Sequence, residues 1–216
     1  MYLCSQKIKN MEINNVEIIK PLLKWDDPND FYFVQILRRK KENPDNTSNS
    51  QTVKTYYVHS ADHLDAKFSE MKILSQYFHA RVYINLNRRN YQQLALQMLK
   101  KLSDCLINKA YKDIKNAYDS ICGNFHVEKE KKWVVDLDDE HYDSDDTYCI
   151  IKLIKETGGT IYTEIPTING IHLISSPFNT KELNDKLSVI WKDKNIYYPD
   201  IQKNNPTLLY YCDNKI

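Results

Sequence analysis

The stretch Trp133-Val134-Val135-Asp136-Leu137-Asp138 constrains this chain more than any other, because it is an apolar strand carrying two carboxylates two positions apart. Side chains alternate faces along a strand, so Asp136 and Asp138 share one face while Trp133, Val135 and Leu137 share the other. Burying the apolar face leaves two anions on a sheet surface, within joint reach of a divalent cation. The competing reading is an acidic strand end running into Asp139-Glu140-His141-Tyr142-Asp143-Ser144-Asp145-Asp146. The fragment alone does not choose between them.

The chain's 216 residues can bury a good core, and no interdomain linker stands out, so a single domain is expected. Thirty basic against 29 acidic residues leave a formal charge of +1, which excludes a global polycation and makes any nucleic-acid surface a local one. Cys4, Cys105, Cys122, Cys149 and Cys212 show no CxxC spacing, so neither a zinc knuckle nor a disulfide framework is indicated. A reducing, cytoplasmic compartment is expected. Met1 to Lys7 lack the apolar core of a signal peptide, and no run approaches the ~18 apolar residues of a membrane span. Sixteen Tyr, four Gly and abundant Lys, Asn and Ile fit an AT-rich coding sequence, as in a phage or low-GC bacterium.

Two β-branched and aromatic runs, Phe31 to Leu37 and Thr52 to Val58, flank a polar segment and predict a hairpin with a long mobile loop. Apolar spacing predicts helices over Leu64–Phe78, Tyr91–Asn108 and Tyr111–Ile121, with Leu94, Met98, Leu102 and Leu106 of the second facing the core. A strand is expected over Arg81–Asn87. Beyond the acidic strand, a helix over Tyr148–Thr157 is closed by Gly158-Gly159. Strands over Thr160–Pro166 and Ile171–Ser175, a helix over Lys181–Trp191 and a strand over Thr207–Tyr211 follow. The pattern is α+β, with β-α-β-β-α-β order in the second half.

Three features of that half could meet in space: the aspartate pair, His172 after the turn Thr167-Ile168-Asn169-Gly170, and Asp200 after a helix. Adjacent strands of a split β-α-β sheet would bring them to one face. Asp136, Asp138 and Asp200 would then offer hard oxygen ligands suited to Mg²⁺ or Mn²⁺ carrying a nucleoside triphosphate, with His172 contacting phosphate.

In this order and spacing the chain resembles the archaeo-eukaryotic primase superfamily, the primase-polymerases. Val134-Val135-Asp136-Leu137-Asp138 is similar to its first motif, an apolar strand ending in Asp-x-Asp or Asp-x-Glu. Thr167-Ile168-Asn169-Gly170-Ile171-His172-Leu173-Ile174 is similar to the second, and Pro199-Asp200-Ile201 to the third, with Pro199 where the family has an apolar residue. Val82 to Arg89 resembles a strand ending in Asn-x-Arg. The resemblance covers about Arg81 to Tyr211 and implies a primase-like fold, an RRM-like catalytic sheet (residues 126–216) packed with an N-terminal α/β module (residues 1–125). It also implies metal-dependent nucleotidyl transfer on a single-stranded template, with a 3′-hydroxyl attacking the α-phosphorus of a nucleoside triphosphate.

By that resemblance Asp136, Asp138 and Asp200 hold two Mg²⁺ or Mn²⁺ ions, while His172, Thr167 and Asn169 meet the phosphates. Gly170 admits close backbone approach and Arg88 grips template or triphosphate. Without the zinc-binding set and the helical accessory domain of many relatives, the resemblance implies a minimal catalytic module, a fragment, or a chain that depends on a partner such as a helicase or a primase accessory subunit. The alternatives are a nucleic-acid-binding replication accessory with little turnover, and a metal-dependent nuclease. The basic runs Arg38-Arg39-Lys40-Lys41 and Lys129-Glu130-Lys131-Lys132 read as solvated charge or as backbone contacts.

Overall fold

The structure, a computed structural model, describes residues 11–192, 197–204 and 206–213; the amino-terminal segment with Cys4 lies outside them. β1 (Met11–Asn14) and the single turn α1 (Val16–Ile19) lead to the expected hairpin of β2 (Asp30–Arg39) and β3 (Ser50–Val58). The hairpin strands pair antiparallel from Tyr32 opposite Val58 to Arg39 opposite Ser50. Alternation divides β2 between two cores, Tyr32, Val34 and Ile36 entering one, Phe31 and Phe33 the other.

The hairpin loop, expected to be mobile, is pegged to the sheet. Asn43 and Asn46 are buried, and their side-chain amides donate to the carbonyls of Arg39 (3.2 Å), His79 (3.0 Å) and Arg38 (3.1 Å). A buried amide requires partners, and the ends of the neighbouring elements supply them.

α2 (Ala61–Tyr77) opens at Ser60, whose hydroxyl accepts the His63 N–H at 3.0 Å, and buries Leu64 and Met71. β4 (Arg81–Ile84) then pairs with β2, Leu37 lying opposite Arg81 and Gln35 opposite Tyr83. After the short β5 (Arg89–Asn90), α3 (Tyr91–Ile107) starts at Asn90, which accepts the N–H groups of Gln92 and Gln93. The expected core stripe on α3 holds only in part: Leu94 is buried, Met98 and Leu102 are half-buried, and Leu106 is 58% exposed. Buried Leu94 and Cys105 face the protein, while Leu96, Leu99 and Ile107 are left outside, so the helix is apolar on more than its packed face. The helix expected over residues 111–121 is a 3₁₀ turn, Tyr111–Asn116, followed by α4 (Ala117–Asn124).

The second half runs β6 (Trp133–Asp138), α5 (Ser144–Glu156), β7 (Ile161–Pro166), β8 (Gly170–Ser175), α6 (Thr180–Ile190) and β9 (Asp200–Gln202). Its sheet order is β7-β8-β6-β9, antiparallel throughout, a split β-α-β connectivity whose last strand is β9 and not the expected strand over residues 207–211. α5 is closed by Gly158 at φ +94°, with Gly159 N–H bonded to the Ile154 carbonyl (2.9 Å) and Gly158 N–H to that of Lys155 (3.3 Å). The acidic loop after β6 serves the same helix. Asp143 accepts the N–H groups of Asp145 and Asp146, whose own charges face the positive end of the helix dipole.

β10 (Thr207–Asp213) overturns the expected division at residue 125. It leaves the second sheet and inserts into the first, whose order is β1-β10-β4-β2-β3 with β5 alongside β2. Its apolar side chains explain the choice: Leu209, Tyr210 and Cys212 fill the main core, while Leu208 and Tyr211 pack with Tyr83 on the opposite face. The fold is α+β, built from two antiparallel sheets stitched together by this strand.

Candidate functional site

β6 is sorted as its alternation requires. Val135 and Leu137 are buried beneath α5 and α6, whereas Val134 belongs to the core of the first sheet. Trp133 is only half-buried, capped by the Lys203 ammonium 5.0 Å from its ring. Asp136 and Asp138 share the face of Val134, which looks toward the first sheet. Opposite Asp136 stand His172 on β8 and Asp200 on β9, and opposite Asp138 stands Gly170. Cross-strand partners point to the same side, so the carboxylates and the imidazole form one row.

His172 is buried, and its Nε2 lies 3.4 Å from Asp136 Oδ1. Its Nδ1 lies 2.9 Å from Thr207 Oγ1, on the strand that belongs to the other sheet. Thr207, fully buried, therefore fixes the ring orientation: when its hydroxyl donates to Nδ1, Nε2 carries the proton. Tyr142 packs in the core with Val135 and Leu137 and does not line the cleft. Burial, with the nearby Asp136 and Asp138 charges adding, pushes its phenol up to about 12.

Asp136, Asp138, His172, Thr167 and Asn169 line one side of a cleft of about 380 Å³ between the sheets. Leu37, Arg39, Lys41, Arg81 and Tyr83 line the other. The cleft therefore has an acidic wall and a basic wall. The basic wall was not assembled by sequence reasoning, although Arg39 and Lys41 stood in a noted basic run; Arg81 and Tyr83 carried no signal beyond alternate positions on one strand.

Three expected site residues stand differently. Asp200, though in register with Asp136, is exposed, accepts from Gln202 Nε2 at 2.6 Å and does not line the cleft. Among the described residues no group of three or more His, Cys, Asp or Glu side chains is arranged to hold a metal ion, so the three-carboxylate set does not close. Arg88 does not line the cleft either. Its Nη1 bonds Asp26 (2.6 Å) and Asp30 (3.0 Å), and its Nε lies 3.6 Å from Glu128.

Gly170 has a structural cause. A Cβ there would collide with the Leu137 carbonyl oxygen and lie 2.9 Å from Asp138 Cα, so the close approach is to β6 rather than to a ligand. Gly170→Ala is expected to cost about 2 kcal/mol or more by forcing the two strands apart. The thermal midpoint measures this, and an unchanged midpoint would show that the pairing yields without cost.

The remaining motifs are structural. Asn87 accepts the Lys132 N–H (2.7 Å) and donates to its carbonyl (3.0 Å), which clips the first module to the start of β6. Arg89 is fully buried, its guanidinium donating to the carbonyls of Asn87, Cys122 and Gly123, and burial pushes its pKa down to about 10. Lys132 lies against Glu128, and Glu130 pairs with Lys24, which accounts for two members of the second basic run. No helix among the described residues is long and apolar enough to cross a membrane. No family model, no curated protein and no solved structure matches this chain.

Proposed function

We propose that this chain is a primase-type nucleotidyltransferase domain, acting on nucleoside triphosphates over a single-stranded template. The observation that carries the reading is the convergence of Asp136, Asp138 and His172 in one cleft, with Asp136 and His172 3.4 Å apart. The split β-α-β sheet supports the RRM-like catalytic half that the primase resemblance implies.

The donor set fits a Mg²⁺ or Mn²⁺ ion, which binds through one or two carboxylates together with substrate phosphates and water and does not need a closed protein cage. Asp136 and Asp138 would hold it; when bound, it supplies charge neutralisation at the phosphates and lowers the pKa of the attacking hydroxyl. The chain does the rest by positioning. His172, oriented by Thr207, presents Nε2 to a phosphate oxygen, and the Thr167 and Asn169 side chains offer neutral polar groups beside it. The Thr167 N–H is already bonded to the Gly170 carbonyl (2.8 Å) and is not spare for a ligand.

One observation favours a second reading. Asp200 stands outside the cleft, as it would in a replication accessory that keeps the fold and template binding with little turnover. Primer extension on a single-stranded template with Mg²⁺ or Mn²⁺ separates the readings. Extension by the wild-type chain, reduced about a hundredfold or more in His172→Ala, is the expected result. Template binding without extension under either metal would establish the accessory role, and template degradation a nuclease.

A further inference from the structure

We propose that Arg39, Lys41 and Arg81 form a polyphosphate-binding subsite on the basic wall of the cleft, with the Tyr83 hydroxyl positioning the two guanidinium groups. That the polyphosphate is the tail of a nucleotide rests on the reading above; that the wall binds such an anion does not.

Alternation along β2 and β4, and the Leu37–Arg81 and Gln35–Tyr83 pairs, set Leu37, Arg39, Arg81 and Tyr83 on the face opposite Asp136 and Asp138. Tyr83 is buried, and its oxygen accepts from Arg81 Nη1 at 3.2 Å and from Arg39 Nη1 at 3.5 Å. Two guanidinium groups thus converge on one neutral atom, where their repulsion favours an added anion. The local carboxylates satisfy them only in part. Arg38 is paired with Asp45 and Arg81 with Glu42, but neither Arg39 nor Lys41 has a carboxylate partner among the described residues. Arg81 Nε, buried, and Glu42 Oε2 also lack hydrogen-bond partners among the described residues.

The subsite is held in place. Asn43 and Asn46 fasten the backbone of the loop that carries Lys41 and Glu42, so the ordering of that loop is not left to the ligand. A polyphosphate is favoured over a nucleic-acid backbone because Arg81 is deep, with 15% of its side chain exposed, and because the cations converge rather than follow a track. Arg is the side chain suited to phosphate, through its planar fork of donors. Glu42 occupies one edge of Arg81 and competes with the incoming anion.

The test is calorimetric titration of the full chain with inorganic tripolyphosphate in the presence of a chelator, beside primer extension with metal. Wild type is expected to bind, with Arg39→Gln weakening the affinity about tenfold or more and Glu42→Gln strengthening it. Because Arg39 is exposed, its variant should keep the wild-type thermal midpoint. Absence of tripolyphosphate binding by wild type, or equal binding by Arg39→Gln, overturns the subsite. So does a loss in Arg39→Gln confined to an unphosphorylated single-stranded oligonucleotide, which would make the wall a backbone contact. Binding that depends on Arg39 in a chain that extends no primer leaves the subsite standing and removes the polymerase reading. Extension with an unchanged nucleotide KM in Arg39→Gln does the reverse.

Discussion

Asp136→Asn is expected to lower nucleotide incorporation by more than about a hundredfold, because groups that only support a metal ligand already account for 10- to 100-fold. The fold should survive the change. The Asp136 side chain is 31% exposed, and its contact with His172 Nε2 at 3.4 Å is worth about 1 kcal/mol or less at such exposure. Asn preserves the shape while removing the charge that would hold a cation. Asp200→Asn, by contrast, is expected to cost less than about tenfold, because that carboxylate lies outside the cleft and bonds Gln202. Incorporation rates of the two variants, measured side by side with their melting curves, rank the carboxylates. Equal losses would place Asp200 in the inner set and show that the cleft closes around it with substrate.

Arg88→Ala is expected to destabilise the protein by about 3–5 kcal/mol, the penalty for leaving buried carboxylates without their cation. Asp30 and Glu128 have 5% and 3% of their side chains exposed, and both face the Arg88 guanidinium. What remains is weaker: the Asp27 N–H (3.2 Å) and Asn90 Nδ2 (3.0 Å) still donate to Asp30, and Lys132 Nζ lies 4.0 Å from Glu128. In urea the midpoint should fall by more than about 1 M. Arg88→Lys should recover only part of this, since a single ammonium cannot span three carboxylates. A variant with unchanged stability and a raised nucleotide KM would instead return Arg88 to the substrate site that the primase resemblance assigns it.

Arg88 and Arg39 together show where sequence reading succeeds and where it stops. Alternation along Trp133–Asp138 determined the faces of β6, and the turn before His172 determined the β7–β8 hairpin, in which His172 stands opposite Ile165. These are local patterns, so they are legible in one sequence. Whether an arginine beside a strand meets substrate or carboxylate depends on residues far along the chain: Arg88 meets Asp26, Asp30 and Glu128, whereas Arg39 meets the cleft. The apolar spacing of α3 was legible as a helix, but Leu106 could not be read as exposed, because the helix has apolar residues on more sides than it packs. The place of β10 was hidden for the same reason. Its apolar run announces a strand, yet its neighbours β1 and β4 lie more than a hundred residues earlier in the chain.

That returning strand sets the order in which the protein can become functional during synthesis. β1 and β4 leave the ribosome long before β10, and until it arrives each presents an unpaired edge to solvent and to other nascent chains. His172 likewise waits for Thr207 to fix its ring. The cleft is thus among the last features to form on a growing chain. A chain halted before residue 207 would carry the aspartate pair and the histidine, but neither the strand that joins the two sheets nor the hydroxyl that aims the imidazole.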